Sequence, residues 1–497
     1  MDDDLRATAA AIRESMPCSI ELPAGAGKTQ FVAALAAVTH ERGERPLILT
    51  HTNAGVDVMR QRLRRFGVSG TSVRIDTIAS WSWDLIRHYP QLSGVVTGQE
   101  PEWAKSPEYY AGARKVVACT AITAVLQASY GLVIVDEYQD CMVEQHDLIL
   151  GLGEALPVCI FGDRLQSIFD FRQNIPVDWE TGVLPTWPDF AITPSAWRWK
   201  DHNEPLGQWL IEIRALLLDG QTIDLVGAPL CWRSSQDDPQ EAIRACYGLA
   251  RAEGTIVAIG QFEEDCAYVA GRTNGIYSMM EELEGKFMLP FAQTVDRGDS
   301  RAIAVATREF AKDCISGVAA KLNKLVADKL ARGEAVTGLK RPGAEHQLEL
   351  LTGLLTDASP ARVVETLEAI RMILEGKLYR REAWRDMTKA LKIATVSGGV
   401  TVCEVLKRIR NRTRFIGRSP EPRIISRPLL IKGLEYDHAL VLNAERLSPT
   451  ELYVALSRGR KSLTVVSKSP YLTPAAPTER TSSRANNNSH RGRRARR

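Results

Sequence analysis

The sequence predicts an α/β protein in which parallel strands end at a shared ligand site. Three short apolar runs, at residues 46–50, 131–135 and 157–161, have the length of buried parallel strands. Each run is followed by polar or acidic side chains, and helical patterns separate the runs. Because the carboxyl ends of parallel strands meet at one edge of a sheet, we expect these polar segments to lie together.

Length and composition favour several folded units. A chain of 497 residues with 44% hydrophobic residues can form two to four domains, and no apolar run approaches the roughly 18 residues of a membrane span. The nine cysteines show no C-x-x-C pair, so a reducing cytoplasm is expected. The net charge of +3 is concentrated in a tail with seven arginines after residue 477, which leaves the rest slightly acidic. A nucleic-acid site would therefore be a local patch.

A phosphate-binding loop is predicted at residues 18–29, CSIELPAGAGKT. A strand is followed by a loop of small residues whose N–H groups can face an anion, and the next helix directs its positive end there. Lys28 would reach the β- and γ-phosphates, and Thr29 would hold Mg²⁺. The first glycine of the usual pattern is Leu22, so a glycine-rich turn with a surface lysine is the alternative. The residues expected around the nucleotide are Pro23, Ala24, Gly25, Ala26, Gly27, Lys28, Thr29 and Gln30.

Two adjacent carboxylates follow the apolar run at residues 131–135. Asp136 is expected to hold the metal through its waters, and Glu137 to polarise the attacking water. Together with the glycine-rich loop, this pair predicts hydrolysis of a nucleoside triphosphate. The polar residues Thr52, Asn53 and Thr77 follow two other strands and are expected on the ligand face of the sheet.

The motifs together resemble those of the UvrD/Rep/PcrA group of superfamily 1 helicases. GAGKT, THTN, TIAS, DEYQD and GDRLQSIFDFR occur in the family's order within residues 25–172. AWR, KGLEYD and YVALSRGR follow, at residues 196–198, 432–437 and 453–460. The resemblance covers most of the chain, from residue 18 to about 467.

The resemblance implies two RecA-like parallel-sheet domains in tandem with small helical insertions, of the 1A/1B/2A/2B type. Mg-ATP would bind between the domains. The family's motif positions imply that the catalytic residues beside Glu137 are Gln166, Arg198 and Arg458, and that Trp197, Gly433 and Glu435 also contact ATP. They imply that Thr52, Asn53, Thr77, Phe169 and Phe171 contact single-stranded DNA, with core packing as the alternative for both phenylalanines.

The expected domain boundaries combine this resemblance with the composition of the chain. Residues 1–195 form the first domain, with a small helical insertion at 84–130. Residues 196–275 begin the second domain, 276–424 form a helical accessory insertion, 425–470 complete the second domain, and 471–497 form a disordered basic tail. Trp81 and Trp83 could pack in the core or stack on bases. The basic residues between 407 and 414 could contact phosphates or form a solvated helix face.

Two functions remain open from the sequence. The first is an ATP-dependent helicase or translocase that moves 3′→5′ on single-stranded or tailed duplex DNA, in repair, recombination or defence. The second is a DNA-sensing regulatory ATPase that controls a partner nuclease. Arg427 and Leu429 replace the threonine and histidine that usually precede KGLE, and the glutamine that reads adenine upstream of the loop is missing. These departures weaken the case for processive unwinding more than the case for ATP hydrolysis. A nuclease or repair protein is the expected partner, and no membrane is expected.

Overall fold

Two parallel β-sheets form the frame of the protein. The computed structural model describes residues 1–168, 176–236, 238, 240–297, 299–374, 376–397 and 399–475. The elements of the first unit are α1 (Asp3–Glu14), β1 (Cys18–Glu21), α2 (Lys28–Glu41), β2 (Pro46–Thr50), α3 (Asn53–Arg65), β3 (Arg74–Thr77), α4 (Ile78–His88), α5 (Pro90–Ser93), α6 (Ser106–Val117), α7 (Thr120–Ser129), β4 (Leu132–Val135), α8 (Val143–Gly153) and β5 (Val158–Gly162).

The five strands of the first sheet lie in the order β1-β5-β4-β2-β3, and all neighbours are parallel. Side chains alternate between two separate cores: Leu47 and Leu49 pack on one face, whereas Ile48 packs on the other. Both faces are covered by helices, which explains why these strands read as unbroken apolar runs.

The second unit is taken to begin at residue 196. Its first elements are α9 (Glu204–Leu218), β6 (Ile223–Asp224), β7 (Cys231–Ser234), α10 (Glu241–Leu249), β8 (Ile256–Ile259), α11 (Glu263–Arg272) and β9 (Ser278–Met279). A helical insertion follows, with α12 (Leu289–Asp296), α13 (Ser300–Cys314), α14 (Val318–Lys321), α15 (Lys324–Ala331), α16 (Glu345–Gly353), α17 (Pro360–Met372), α18 (Arg381–Val396) and α19 (Val402–Ile416). The unit ends with β10 (Arg423–Ser426), α20 (Pro428–Ile431), β11 (Tyr436–Val441), α21 (Pro449–Leu456), β12 (Gly459–Ser467) and β13 (Tyr471–Leu472).

The second sheet has six parallel strands in the order β7-β12-β11-β8-β10-β9. The tandem parallel-sheet α/β fold expected from the sequence is therefore confirmed. The helical insertion connects β9 to its neighbour β10 and has its own hydrophobic core, in which Phe310 and Trp384 stack with their ring centroids 6.0 Å apart. Among the described residues, none of the helices combines the length and apolarity required to cross a lipid bilayer.

The expected insertion at 84–130 is helical, but it shares a core with the first sheet. Tyr109 and Ala113 of α6 are buried in the same cluster as Val133 of β4. Trp81 is also buried there, so core packing describes it better than base stacking. The side chain of Trp83 packs against this cluster, and the Arg87 guanidinium lies 4.3 Å from its ring centroid.

The expected tail begins later than residue 471. Tyr471 and Leu472 pair antiparallel with Asp224 and Ile223, and Leu472 is buried. The prediction of disorder was therefore wrong for these two residues, because the apolar Leu472 side chain has a core to enter. The remaining part of that prediction, residues 476–497, lies outside the described residues.

The basic stretch of α19 contains both buried and exposed arginines. The Arg410 side chain is 4% exposed, and its Nη1 donates to Glu382 at 2.6 Å and to Asp386 at 2.8 Å. Phosphate contact is therefore the wrong interpretation for Arg410, because its guanidinium ties α19 to α18. Arg412 is exposed.

We expect Arg410→Met to lower the free energy of unfolding by about 3–5 kcal/mol, because the carboxylates of Glu382 and Asp386 lose their buried partner and keep only Arg418 and Arg385. Urea unfolding followed by tryptophan fluorescence measures this change, since Trp384 lies in the same core. The matched control Arg412→Met on the same helix should change the value by about 0.5 kcal/mol or less. Equal effects of the two substitutions would contradict the structural role of Arg410.

Candidate nucleotide-binding site

The glycine-rich loop lies between β1 and α2, at the carboxyl edge of the first sheet. Gly25 and Gly27 have φ angles of +72° and +90°, which favour glycine, and α2 begins at Lys28. The Lys28 ammonium is nearly buried and donates to the carbonyl of Leu22 at 2.9 Å. A phosphate in the loop could replace this carbonyl as the acceptor, and phosphate binding by Lys28 stays a prediction.

Aromatic residues from the start of the second unit lie on this loop. The backbone N–H of Arg198 donates to the carbonyl of Gly25 at 3.1 Å. A Cβ atom at Gly25 would lie 2.5 Å from the Trp199 ring, and one at Gly27 would lie 3.0 Å from Cδ1 of Trp197. The glycines are therefore required by close packing as well as by backbone conformation. Trp197 is half exposed and presents ring surface beside the loop.

Asp136 and Glu137 follow β4, next to the loop lysine. Glu137 has a φ of +57°, an unfavourable conformation for glutamate, and its carboxylate accepts a hydrogen bond from Gln139. Burial raises the pKa of Asp136 to about 7, and the neighbouring Glu137 charge acts in the same direction. Burial also opposes ionisation of Glu137, but Lys28, Lys432, the hydrogen bond from Gln139 and His51 together outweigh it and lower the pKa of this carboxyl. The site therefore keeps a charged carboxylate beside Asp136.

The residues predicted to hold Mg²⁺ provide oxygen donors. Asp136 is a buried carboxylate next to a second carboxylate, an arrangement that a divalent cation relieves, and Thr29 adds a half-buried hydroxyl in the first turn of α2. This donor chemistry fits Mg²⁺, which is commonly held by one or two protein oxygens together with substrate phosphates.

Gln166 is held by a buried ion cluster that joins both units. Its Nε2 donates to Asp163 at 2.9 Å, and Asp163 has no exposed surface. Arg214 of α9 contacts Asp163 at 3.1 Å and also pairs with Glu21 at the end of β1. Arg164 completes the cluster, with its Nη2 2.8 Å from Glu21. The position of Gln166 therefore depends on an arginine from the second unit.

Arg458 is fully buried where the two units meet. Its guanidinium donates to the carbonyls of Val454 and Leu434 at 2.8 and 3.1 Å, and to Gln166 Oε1 at 3.4 Å. Burial lowers the pKa of Arg458 to about 9, and the nearby charge of Arg198 adds to this effect. The structure thus places two predicted catalytic residues, Gln166 and Arg458, in direct contact.

Arg198 and Glu435 form an ion pair beside Arg458. The Arg198 Nη2 lies 2.8 Å from the Glu435 carboxylate, and its Nη1 donates to the carbonyl of Ser457 at 2.7 Å. Gly433 has a φ of +78°, which favours glycine. A Cβ atom added there would meet no other group within 4 Å, so backbone conformation rather than lack of space explains glycine at this turn. Gln30, in the first turn of α2, accepts a hydrogen bond from Arg62.

A buried ion pair between the units was missed by sequence reasoning. Both carboxylate oxygens of Asp140 lie 2.5 Å from the Lys432 ammonium, and the two side chains are 6% and 8% exposed. Burial raises the pKa of Asp140 to about 6, whereas Lys432 acts to lower it. Tyr453 provides a second connection, because its hydroxyl accepts from the Ala24 N–H at 2.9 Å. Both residues lie in quoted motifs, but a motif gives no sign of which distant residue its polar atoms contact.

The predicted DNA-contact residues have structural roles at the same edge of the first sheet. Thr52 and Thr77 are the N-cap residues of α3 and α4, and each side-chain oxygen accepts a backbone N–H at 3.0 Å. Thr52 is exposed, Thr77 is buried, and Asn53 begins α3. DNA contact stays a prediction for these three residues. Phe169 and Phe171 lie outside the described residues.

Comparisons with known proteins support the class of the first domain. A family model described as an AAA domain matches residues 6–172, which is less than half of the chain. The match supports an AAA-type domain in the first unit, while the superfamily 1 helicase class and the UvrD/Rep/PcrA subgroup stay predictions. No curated protein matches the sequence.

Similar solved structures include the crystal structure of Pif1 helicase from Candida albicans. It is 11% identical, with a TM-score of 0.30, and the alignment covers 55% of this chain and 54% of that one. The chain therefore spans about half the length of this solved structure.

The Lys432–Asp140 pair can be tested by a double-substitution cycle. We expect Asp140→Leu alone to destabilise the protein by about 3–5 kcal/mol, because it removes both carboxylate oxygens that lie 2.5 Å from the buried Lys432 ammonium. Adding Lys432→Met should restore much of that loss, since two apolar side chains can replace a buried ion pair. Urea denaturation of both single variants and the double variant measures the coupling. Additive losses would show that the pair does not join the units.

Proposed function

We propose that the protein is a DNA-stimulated ATPase that moves 3′→5′ along single-stranded DNA and separates duplex strands. The observation that carries this proposal is the direct contact of Gln166, from the first unit, with the fully buried Arg458 of the second. A glycine-rich loop with its lysine and two carboxylates lies beside them. The direction of movement rests on the motif resemblance alone.

ATP hydrolysis needs three contributions from these residues. Lys28 would move from the Leu22 carbonyl to the β- and γ-phosphates, and the loop N–H groups would hold the same phosphates. Glu137 would orient the attacking water, with Gln139 fixing its carboxylate. Bound Mg²⁺ would neutralise charge on the phosphate oxygens.

The arginines connect this chemistry to movement. Arg198 and Arg458 come from the second unit, so a γ-phosphate that attracts them would draw the two units together. Loss of that phosphate would return Arg198 to Glu435 and leave Arg458 with Gln166. Gln166 contacts Asp163, which contacts Arg214 of α9, so a shift of Gln166 on phosphate binding or loss would be transmitted to α9. This alternation is a suitable basis for a translocation step.

The alternative is a regulatory ATPase that senses DNA and controls a partner nuclease. It is favoured by the second unit, in which Arg427 replaces the usual threonine and pairs with Glu282. Nearby, Arg380 pairs with Glu281 at 2.8 Å and with Glu263 at 3.1 Å. Because Glu282 engages the Arg427 guanidinium, the strand contact that the family makes at this position is altered, which weakens the case for a processive motor.

ATP turnover with and without single-stranded DNA tests the enzymatic proposal. Glu137→Gln should lower turnover by about 10²–10⁴-fold, since it removes the group that orients water. Arg198→Ala should lower it by about 10³-fold or more, because transition-state charge loses a partner. Arg371→Ala, on the exposed surface of the insertion, is the matched control and should behave as wild type. An inactive wild-type protein would refute the proposal.

Strand separation distinguishes the two functions. On partial duplexes with a 3′ or a 5′ single-stranded tail, a 3′→5′ motor should release the short strand only from the 3′-tailed substrate. ATP consumption that DNA stimulates without any strand release would favour the regulatory alternative. Release from the 5′-tailed duplex would show that the direction implied by the resemblance is wrong.

A further inference from the structure

A cavity of about 470 Å³ lies at the edge of the first sheet, beside β3. It is formed by the second half of α3, the chain leading to β3, and Arg45 at the start of β2. Lys28 and Asp136 lie at the carboxyl edge, whereas Arg45 lies at the opposite, amino edge of this sheet. A five-residue strand such as β2 separates the two edges by roughly 15 Å. The cavity is therefore distinct from the candidate nucleotide-binding site.

The rim of the cavity is strongly basic. Arg45, Arg60, Arg64 and Arg74 line it, and Asp76 is the only carboxylate among the described lining residues. Arg74 is neutralised within the protein, because its guanidinium lies 2.8 Å from Asp76 and 2.9 Å from Asp84. The positive charge available to a ligand therefore comes from the other three arginines.

Those three guanidinium groups have weak partners or none among the described side chains. Arg60 lies 3.3 Å from Asp57, and both are at least half exposed, so this pair contributes little. Arg45 lies 5.8 Å from the ring centroid of Tyr130, and neither Arg45 nor Arg64 has an ion pair within the described ranges. Several guanidinium groups around one cavity favour a multiply charged anion that accepts paired hydrogen bonds, and a phosphomonoester has this chemistry.

The floor of the cavity is apolar. Leu63, Val73 and Ile75 line it and belong to the core beneath α3. An apolar floor below an arginine rim suits a ligand with a flat ring and a phosphate, and the volume lies within the range of small-molecule sites. A free inorganic anion would leave the floor unused.

We propose that this cavity binds a 5′-mononucleotide through its phosphate, either as a free nucleotide or as the phosphorylated 5′ end of a nucleic-acid strand. The phosphate contacts Arg60, Arg64 and Arg45, and the base lies on the apolar floor. This proposal is independent of ATP hydrolysis at the loop of Lys28.

Hydrogen exchange of the full chain, read by mass spectrometry, tests the site because it locates binding along the sequence. The probes are 5′-AMP, a 5′-phosphorylated tetranucleotide and the same tetranucleotide without the phosphate. We expect protection of residues 60–76 by phosphorylated probes only. Protection by AMP identifies free nucleotides as ligands, and protection by the phosphorylated tetranucleotide alone identifies strand ends.

Two variants make the test specific. The double variant Arg60→Ala/Arg64→Ala should weaken binding of the phosphorylated probe by about tenfold or more for each guanidinium lost. Arg65→Ala is the matched control, since Arg65 is exposed on the same helix but does not line the cavity. ATP turnover should be unchanged in both variants, which separates this proposal from the proposed function. Absence of protection at residues 60–76, or equal protection in the double variant and wild type, would overturn it.

Discussion

A guanidinium group without exposed surface has to find acceptors inside the protein, and this requirement organises the contact between the two units. Arg458 meets it with the carbonyls of Val454 and Leu434 and with the amide oxygen of Gln166. Two of these acceptors belong to the second unit, and the third belongs to the first. Separating the units would remove the Gln166 acceptor and leave Nη2 of Arg458 with the Ser457 hydroxyl, 2.7 Å away in the second unit. The contact is therefore specific in geometry.

Apolar packing reinforces the same contact. Ala24 and Leu165 of the first unit belong to the hydrophobic core of the second, together with Trp199. Trp199 also donates through its indole N–H to the carbonyl of Gly459 at 2.8 Å. The loop that is predicted to hold phosphates is thus packed against Trp199 and the core of the second unit, which would move when phosphates bind. A change in the loop can alter the packing between the units without a long chain of intermediates.

Local patterns predicted most of the fold and the first half of the site. Buried parallel strands are recognisable because helices cover both faces, and the residues after a strand are placed by chain connectivity alone. The Lys432–Asp140 pair could not be found in this way, since 292 positions separate its members. The same holds for Tyr453 with Ala24, and for Arg214 with Asp163. Arg410 shows the opposite error, because a basic helix face does not reveal which arginine turns toward carboxylates on α18.

The helical insertion has a further consequence through the strands that it joins. Ser278 and Met279 of β9 pair in parallel with Ile424 and Ile425 of β10, so the chain between them has to return along the whole strand before re-entering the sheet. A connection of this type needs only about a dozen residues. The sheet therefore constrains a small part of the length between residues 280 and 422, so this segment can be lengthened, shortened or exchanged without altering the strand order. The accessory helices can therefore vary while the parallel-sheet frame keeps its topology.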